Sequence, residues 1–188
     1  MNYMGDSTWW NERFKSRALE VMDHEQCLEE DLRYFPSKGK ILDVACGDGR
    51  NAIYLARLGY EILAIDFCEE ALERLNYFAN YENLTIRTMM VDLSKDNLKI
   101  LNEKFDAIII NHYKLSSQRY ADMDNCLNKD GVLWVNGFHA VPISNPDVKE
   151  TDINMEQDYE SLKNYILLDK KVYENNKRLF SRYIWRNQ

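Results

Sequence analysis

The run KILDVACGDGRNAIYLARL, residues 40–58, admits few folds. Ile41, Leu42 and Val44 are apolar at successive positions, the pattern of a strand covered on both faces. Gly47 and Gly49 follow as a turn in which positive φ is allowed and no side chain blocks the backbone. Arg50 to Leu58 then reads as a helix closed by Gly59. Strand, glycine turn and helix in that order make a βα unit, which belongs in a parallel sheet with helices on both faces. One residue conflicts with this pattern. Asp43 places a carboxylate inside the apolar run, where burial costs several kcal/mol unless a cation or hydrogen-bond donor meets it.

The alternation continues along the chain. YEILAID is a second strand, Glu69 to Ala79 a helix, and LTIRTMMVD a third strand. A short helix over Lys95 to Leu101 leads to FDAIIIN, and a helix over Ser117 to Leu127 leads to GVLWVNGF. Ahead of the first strand, Ser7 or Thr8 caps a predicted helix running to Leu32. Its apolar positions Trp10, Phe14, Val21, Leu28 and Leu32 recur near helical spacing, and Pro36 and Gly39 end it. The tail differs. YILLDKKVYE and RLFSRYIWR flank Asn175 and Asn176, which predicts a hairpin of antiparallel strands. The expectation is one α/β domain over 1–188, with a helical cap at 1–36 and a doubly wound, mostly parallel core at 40–188. AVPISNPDVKETD, residues 140–152, is the longest irregular stretch and the expected lid.

Size and composition narrow the partners. A chain of 188 residues suits one domain, and no apolar run approaches a membrane span. MNYMGDSTWW lacks the basic region and apolar core of a signal peptide. Cys27, Cys46, Cys68 and Cys126 are far apart with no CxxC pair, so neither a metal site nor a disulfide framework is indicated, and a reducing, cytoplasmic setting fits. A net charge of −7 argues against a nucleic-acid partner, because phosphate binding needs clustered Lys and Arg. Small molecules or proteins remain as substrates, and the oligomeric state is not specified.

The polar residues at the predicted strand tips share one place. Asp43 lies at the end of strand one, Asp66 closes strand two, Asp92 strand three and Asn111 strand four, and ligands of open α/β sheets bind beyond those ends. Asp66 follows the glycines at the interval at which a carboxylate grips adenosine ribose hydroxyls. Gly47, Gly49 and Ala52 also satisfy the looser dinucleotide pattern GxGxxA, so an NAD-type oxidoreductase is one reading. Asp43 favours another. It would repel a pyrophosphate at this turn and attract a ligand carrying an ammonium and a sulfonium, as S-adenosylmethionine does.

DVACGDG resembles the first motif of the class I S-adenosylmethionine-dependent methyltransferases, and GRNAIYLARLGYEILAID is similar to their tellurite-resistance and thiopurine methyltransferase-like branch. The resemblance spans roughly Lys40 to Phe138, and with the terminal hairpin it implies that family's Rossmann-like, seven-stranded plan. It implies that Asp43 and the Gly47–Gly49 backbone, with Ala45 and Asn51, hold the methionine end of the cofactor. Asp66 would take the ribose, Phe67 would lie against adenine, and Asp92 and Leu93 would meet its edge. Asn111 and His112 stand where the family places its fourth motif, beside the reactive methyl. Here the chain has NHYK in place of the NPPY or DPPY of nucleobase methylases.

His112 is the candidate base, its ordinary pKa near 6.5 suiting proton transfer, and a histidine that only shapes the pocket is the alternative. Tyr113 either steers a substrate or covers the adenine. Trp9 and Arg13 are candidates for a substrate cap, while Trp10 and Phe14 suit the core. His139 is expected at the surface, and His24 mid-helix facing solvent. Cys46 and Cys68 read as packing, and Glu69, Glu70 and Glu73 as a solvated face. A domain that binds the cofactor without chemistry is the non-enzyme reading.

Overall fold

The computed structural model describes residues 6–143, 145 and 148–188. Seven strands form one sheet: β1 (Lys40–Val44), β2 (Glu61–Asp66), β3 (Ile86–Met90), β4 (Phe105–Asn111), β5 (Leu127–Phe138), β6 (Tyr165–Asn175) and β7 (Arg178–Asn187). Their order is β3-β2-β1-β4-β5-β7-β6. The first five run parallel, and β7 inserts antiparallel between β5 and β6. This is the doubly wound, mostly parallel sheet with a terminal hairpin that the sequence predicts. Strand order reverses between β2 and β4 around β1, so a crevice opens beyond the tip of β1.

The side-chain period of two splits the core between the faces of the sheet. Leu42, Val44, Leu63, Ile65, Ile108 and Ile110 pack on one side. Ile41, Ile62, Ala64, Ala107 and Ile109 pack on the other, with Ile53 and Leu55 of α3 (Arg50–Arg57) and Leu75 and Phe78 of α4 (Glu69–Tyr81). Asp43 pairs with Ala64 and Ile109 and so belongs to the second set. Gly49 serves this packing. It holds φ of 84°, and a Cβ there would sit 2.2 Å from Leu75 Cδ1. Gly49→Ala combines a left-handed backbone with overpacking, and a loss of about 2–4 kcal/mol in unfolding free energy is expected, read as a lower urea midpoint.

The long N-terminal helix is a correction. The helix α1 covers only Ser7–Lys15, α2 covers Gln26–Asp31, and non-helical chain separates them. The cap is Asp6, which accepts from Trp9 N at 2.9 Å, instead of Ser7 or Thr8. Tertiary hydrogen bonds displace helical ones in the gap. Arg74 of α4 donates to Ala18 O at 2.7 Å and to Arg17 O at 3.4 Å, taking carbonyls that a continuous helix would use itself.

Three shorter differences have the same local origin. The helix expected over Ser117 to Leu127 is two single turns, α5 (Ser117–Tyr120) and α6 (Met123–Cys126), and β5 already begins at Leu127. Only Leu98–Leu101 of the helix expected from Lys95 forms, as a 3₁₀ turn capped by Asn97. The hairpin turns at Asn176–Lys177, both with positive φ, and Asn175 pairs with Arg178. Two consecutive positive φ angles match the right-handed twist of the flanking strands.

Candidate functional site

A cleft of about 1240 Å³ lies beyond the carboxyl ends of β1, β2 and β4. The expected residues Asp43, Ala45, Gly47, Asn51, Asp66 and Phe67 border it, as do Asp92, Leu93, Asn111, His112 and Tyr113. Trp9 and Arg13 stand at its rim. Gly49 lies in the same turn behind the lining residues, and its missing side chain makes room for Leu75.

The turn after β1 is built by unusual backbone angles and by Asp66. Ala45, Gly47 and Gly49 all hold positive φ. Asp66 Oδ2 accepts from Gly47 N at 2.8 Å, and its Oδ1 accepts from Cys68 N at 2.9 Å. One carboxylate thereby ties the first turn to the second, with burial pushing its pKa up against those donors. The Phe67 backbone also leans on this carboxylate and helps hold its pKa down.

Asp43 is 2% exposed, and its Oδ2 has no hydrogen-bond partner. Burial, then the negative charge of Asp66, pushes its pKa up to about 8, while Arg50 and the Ala52 backbone pull the other way. Burial therefore favours the neutral carboxyl, and a cation arriving in the crevice would favour the ionised one.

Asp92 departs from expectation. β3 ends at Met90, so Asp92 lies in the following turn. Its carboxylate accepts from Ser94 N and Oγ and from Lys95 Nζ at 2.6–3.0 Å, and the Lys95 charge with Ser94 holds its pKa below the usual range. Tyr113 packs against the core, and burial pushes its hydroxyl up to about 12.

Glu25 was not foreseen. It lies between α1 and α2, is 5% exposed, and enters the crevice. Its Oε2 accepts from Arg50 at 2.7 Å and from Asn111 Nδ2 at 3.4 Å, and lies 3.2 Å from His112 Nε2. Burial alone would raise its pKa, but His112, Arg50 and Asn111 hold it down at about 2. Its backbone N donates to Asn51 Oδ1 at 2.9 Å, so Asn51 serves as an anchor for this segment. In sequence, Glu25 looks like one acid among several in HEQCLEE.

Other contacts fasten the N-terminal segment over the turn. Phe14 lies 3.3 Å from where a Gly47 Cβ would be. Buried Asp48 meets Arg17 at 3.3 Å and Arg74 at 3.4 Å. Asn11 Oδ1 accepts from Glu70 N, giving α4 the cap that its own sequence lacks. Arg13 lies over Trp9 at 5.1 Å. His24 is a second correction. It is outside any helix, and its ring stacks on Tyr54 at 3.6 Å, beside Glu29. His139 is exposed, as expected. Within the expected lid, Ser144, Pro146 and Asp147 lie outside the described residues, while Val148 packs on Phe138 and Phe180. Among the described residues no helix is long and apolar enough to cross a membrane.

Comparison with known proteins agrees with this architecture. The family described as Tellurite resistance protein TehB matches residues 20–131. A Haemophilus influenzae protein, "Probable S-adenosyl-L-methionine-dependent methyltransferase TehB", is 39% identical over 70 residues, covering 37% of this chain and 23% of the relative. The chain thus spans about a quarter of that relative's length. The crystal structure of Haemophilus influenzae TehB superposes with a TM-score of 0.71 at 21% identity, over 97% of this chain and 67% of that one. An S-adenosylmethionine-dependent methyltransferase from Clostridium acetobutylicum superposes with a TM-score of 0.65 at 18% identity, over 97% and 92%.

Proposed function

Because the chain belongs to the tellurite resistance protein TehB family, we propose that it transfers a methyl group from S-adenosylmethionine to a small-molecule acceptor, acting as one domain in the cytoplasm. The fold is that of class I S-adenosylmethionine-dependent methyltransferases. The observation that carries the proposal is the orphaned, buried Oδ2 of Asp43 at the tip of β1, beside a turn whose backbone a ligand can approach. An ammonium group would ionise that carboxyl and pair with it, whereas the charge of a pyrophosphate would hold it neutral and gain no ion pair.

When bound, the cofactor supplies a methyl already activated on a cationic sulfur. The chain's task is to bind, orient and exclude water, and orientation alone is worth up to roughly 7–11 kcal/mol. Asp43, with Ala45 and Gly47, would hold the methionine end, and Asn51 would keep the Glu25 segment in place. Asp66, at the edge of the cleft, would take the ribose with the acceptor capacity its backbone donors leave. Phe67, Leu93 and the turn at Asp92 would border adenine, leaving Asn111, His112 and Tyr113 on the reacting side, with Trp9 and Arg13 closing the rim. The net charge of −7 favours a small acceptor over nucleic acid.

Calorimetric titration with S-adenosylhomocysteine tests the reading. The wild type is expected to bind, and Asp66→Ala to bind about 1.5–3 kcal/mol more weakly, the worth of hydrogen bonds to a charged group. No binding by the folded wild type would refute the proposal. Incubation of labelled S-adenosylmethionine with thiol, amine and carboxylate acceptors then separates an enzyme from a binding domain, which would release no S-adenosylhomocysteine above background.

A further inference from the structure

His112 is held more firmly than a pocket-shaping histidine requires. Its backbone sits at φ of 54°, a conformation that costs a residue with a side chain on the order of 1–2 kcal/mol. Its N–H donates to Asn136 O at 2.7 Å. Its ring stacks on Phe180 at 4.9 Å and 9°, with Phe138 at 5.7 Å. The remaining constraint is Glu25, whose Oε2 lies 3.2 Å from the buried Nε2, within ion-pair reach but off the line of a ring N–H hydrogen bond. That carboxylate is buried, ionised, and backed by Arg50 and Asn111. Glu25 faces the ring from the N-terminal segment with a charge, while β5 and β7 face it with phenyl groups.

A buried carboxylate beside one ring nitrogen favours the proton on that nitrogen, where a small turn of the ring would complete the hydrogen bond, and leaves the other as the acceptor. From this geometry we infer that Glu25 and His112 form a dyad in which Glu25 is a positioning residue and His112 Nδ1 is the general base of the transfer. The inference rests on the methyltransferase reading and narrows its acceptor to a group that arrives protonated, such as a thiol, instead of a preformed anion. In the step, the acceptor sulfur forms a bond to the methyl carbon as its proton passes to Nδ1. The electron pair of the broken methyl–sulfur bond stays on the departing sulfur, which becomes a neutral thioether. The imidazolium is stabilised by Glu25 until water removes the proton.

Two probe thiols and one spectrum test the dyad. 2-Mercaptoethanol is largely protonated at pH 7, like a cysteine thiol with pKa near 8.5, whereas 4-nitrothiophenol is already a thiolate. Glu25→Gln, and independently His112→Phe, which keeps the ring stack, are expected to lower kcat for the first thiol relative to the second by about 100-fold. Affinity for S-adenosylhomocysteine should stay within a few-fold. Nitrogen-15 NMR of the wild type without ligand, with His112 assigned by difference from His112→Phe, should show the Nε2–H tautomer, and Glu25→Gln should lose that preference. An unchanged ratio, an Nδ1–H tautomer, or a wild type that binds S-adenosylhomocysteine yet turns over neither thiol would overturn the dyad. A wild type that fails to bind S-adenosylhomocysteine instead refutes the methyltransferase reading and leaves the tautomer to decide the dyad alone.

Discussion

Asp43→Asn is expected to stabilise the protein at pH 9 by about 3 kcal/mol relative to its effect at pH 5, while weakening S-adenosylmethionine binding by at least about tenfold. The folded carboxyl titrates at about 8, against 3.8 for an ordinary one. Between those values the folded chain holds a proton that the unfolded chain has lost, so stability falls as pH rises from about 4 and levels off above about 8. Each unit of displacement is worth ~1.4 kcal/mol, which sets a ceiling near 6 kcal/mol, and relaxation around the charge takes part of it. Asparagine imitates the protonated carboxyl, keeps an oxygen for the Ala52 N–H, and carries no charge at any pH. Thermal melts of both proteins across pH 5–9 check this, and parallel curves would show that Asp43 is not the strained group. The same linkage predicts proton release when the cofactor's ammonium ionises Asp43. Titrations at pH 7 in two buffers of different ionisation enthalpy should give different apparent heats for the wild type and equal heats for Asp43→Asn.

The signals legible in the sequence were local ones. The apolar run around Asp43, the two glycines and the amphipathic helix after them lie within twenty residues, and each reports its own backbone. The alternation repeated along the chain then fixed the parallel sheet, and the terminal hairpin was visible in two β-rich runs. The misread features depend on partners far along the chain. Residues 16–25 carry a helical pattern, but Arg74, 56 residues beyond Ala18, takes its carbonyl. Glu25 meets Asn111 across 86 positions, and no periodicity marks which acid of HEQCLEE turns inward. The glycine pattern also does not say that Leu75, 26 positions beyond Gly49, fills the space where a side chain would stand. Lys177 at positive φ is likewise set by hairpin twist, against its own preference.

Asp31→Ala should cause the largest loss of stability, about 3–5 kcal/mol, because it leaves a buried guanidinium without its fully buried counter-charge. Asp31 of α2 and Arg182 of β7 are 1% and 2% exposed and lie 2.8 Å apart. Trp134 Nε1 donates to the same Asp31 oxygen at 2.8 Å, and it too would be stranded. The native pair need not be a net gain. Burial pushes Asp31 up despite Trp134 and Arg182, so the desolvation cost exceeds their pull on this carboxyl. Asp169 also meets Arg182, at 2.8 Å, but its side chain is 33% exposed, so Asp169→Ala should cost about 1 kcal/mol or less. Guanidinium unfolding at pH 7 distinguishes the two substitutions, and equal losses would mean that water reaches Arg182. Replacing both partners, as Asp31→Leu with Arg182→Met, should recover much of the loss, since no uncompensated charge remains and only the Trp134 N–H stays unmet. Glu25 lies one residue before α2, so the single variant should also loosen its hold on His112 and lower turnover of a protonated acceptor more than cofactor affinity.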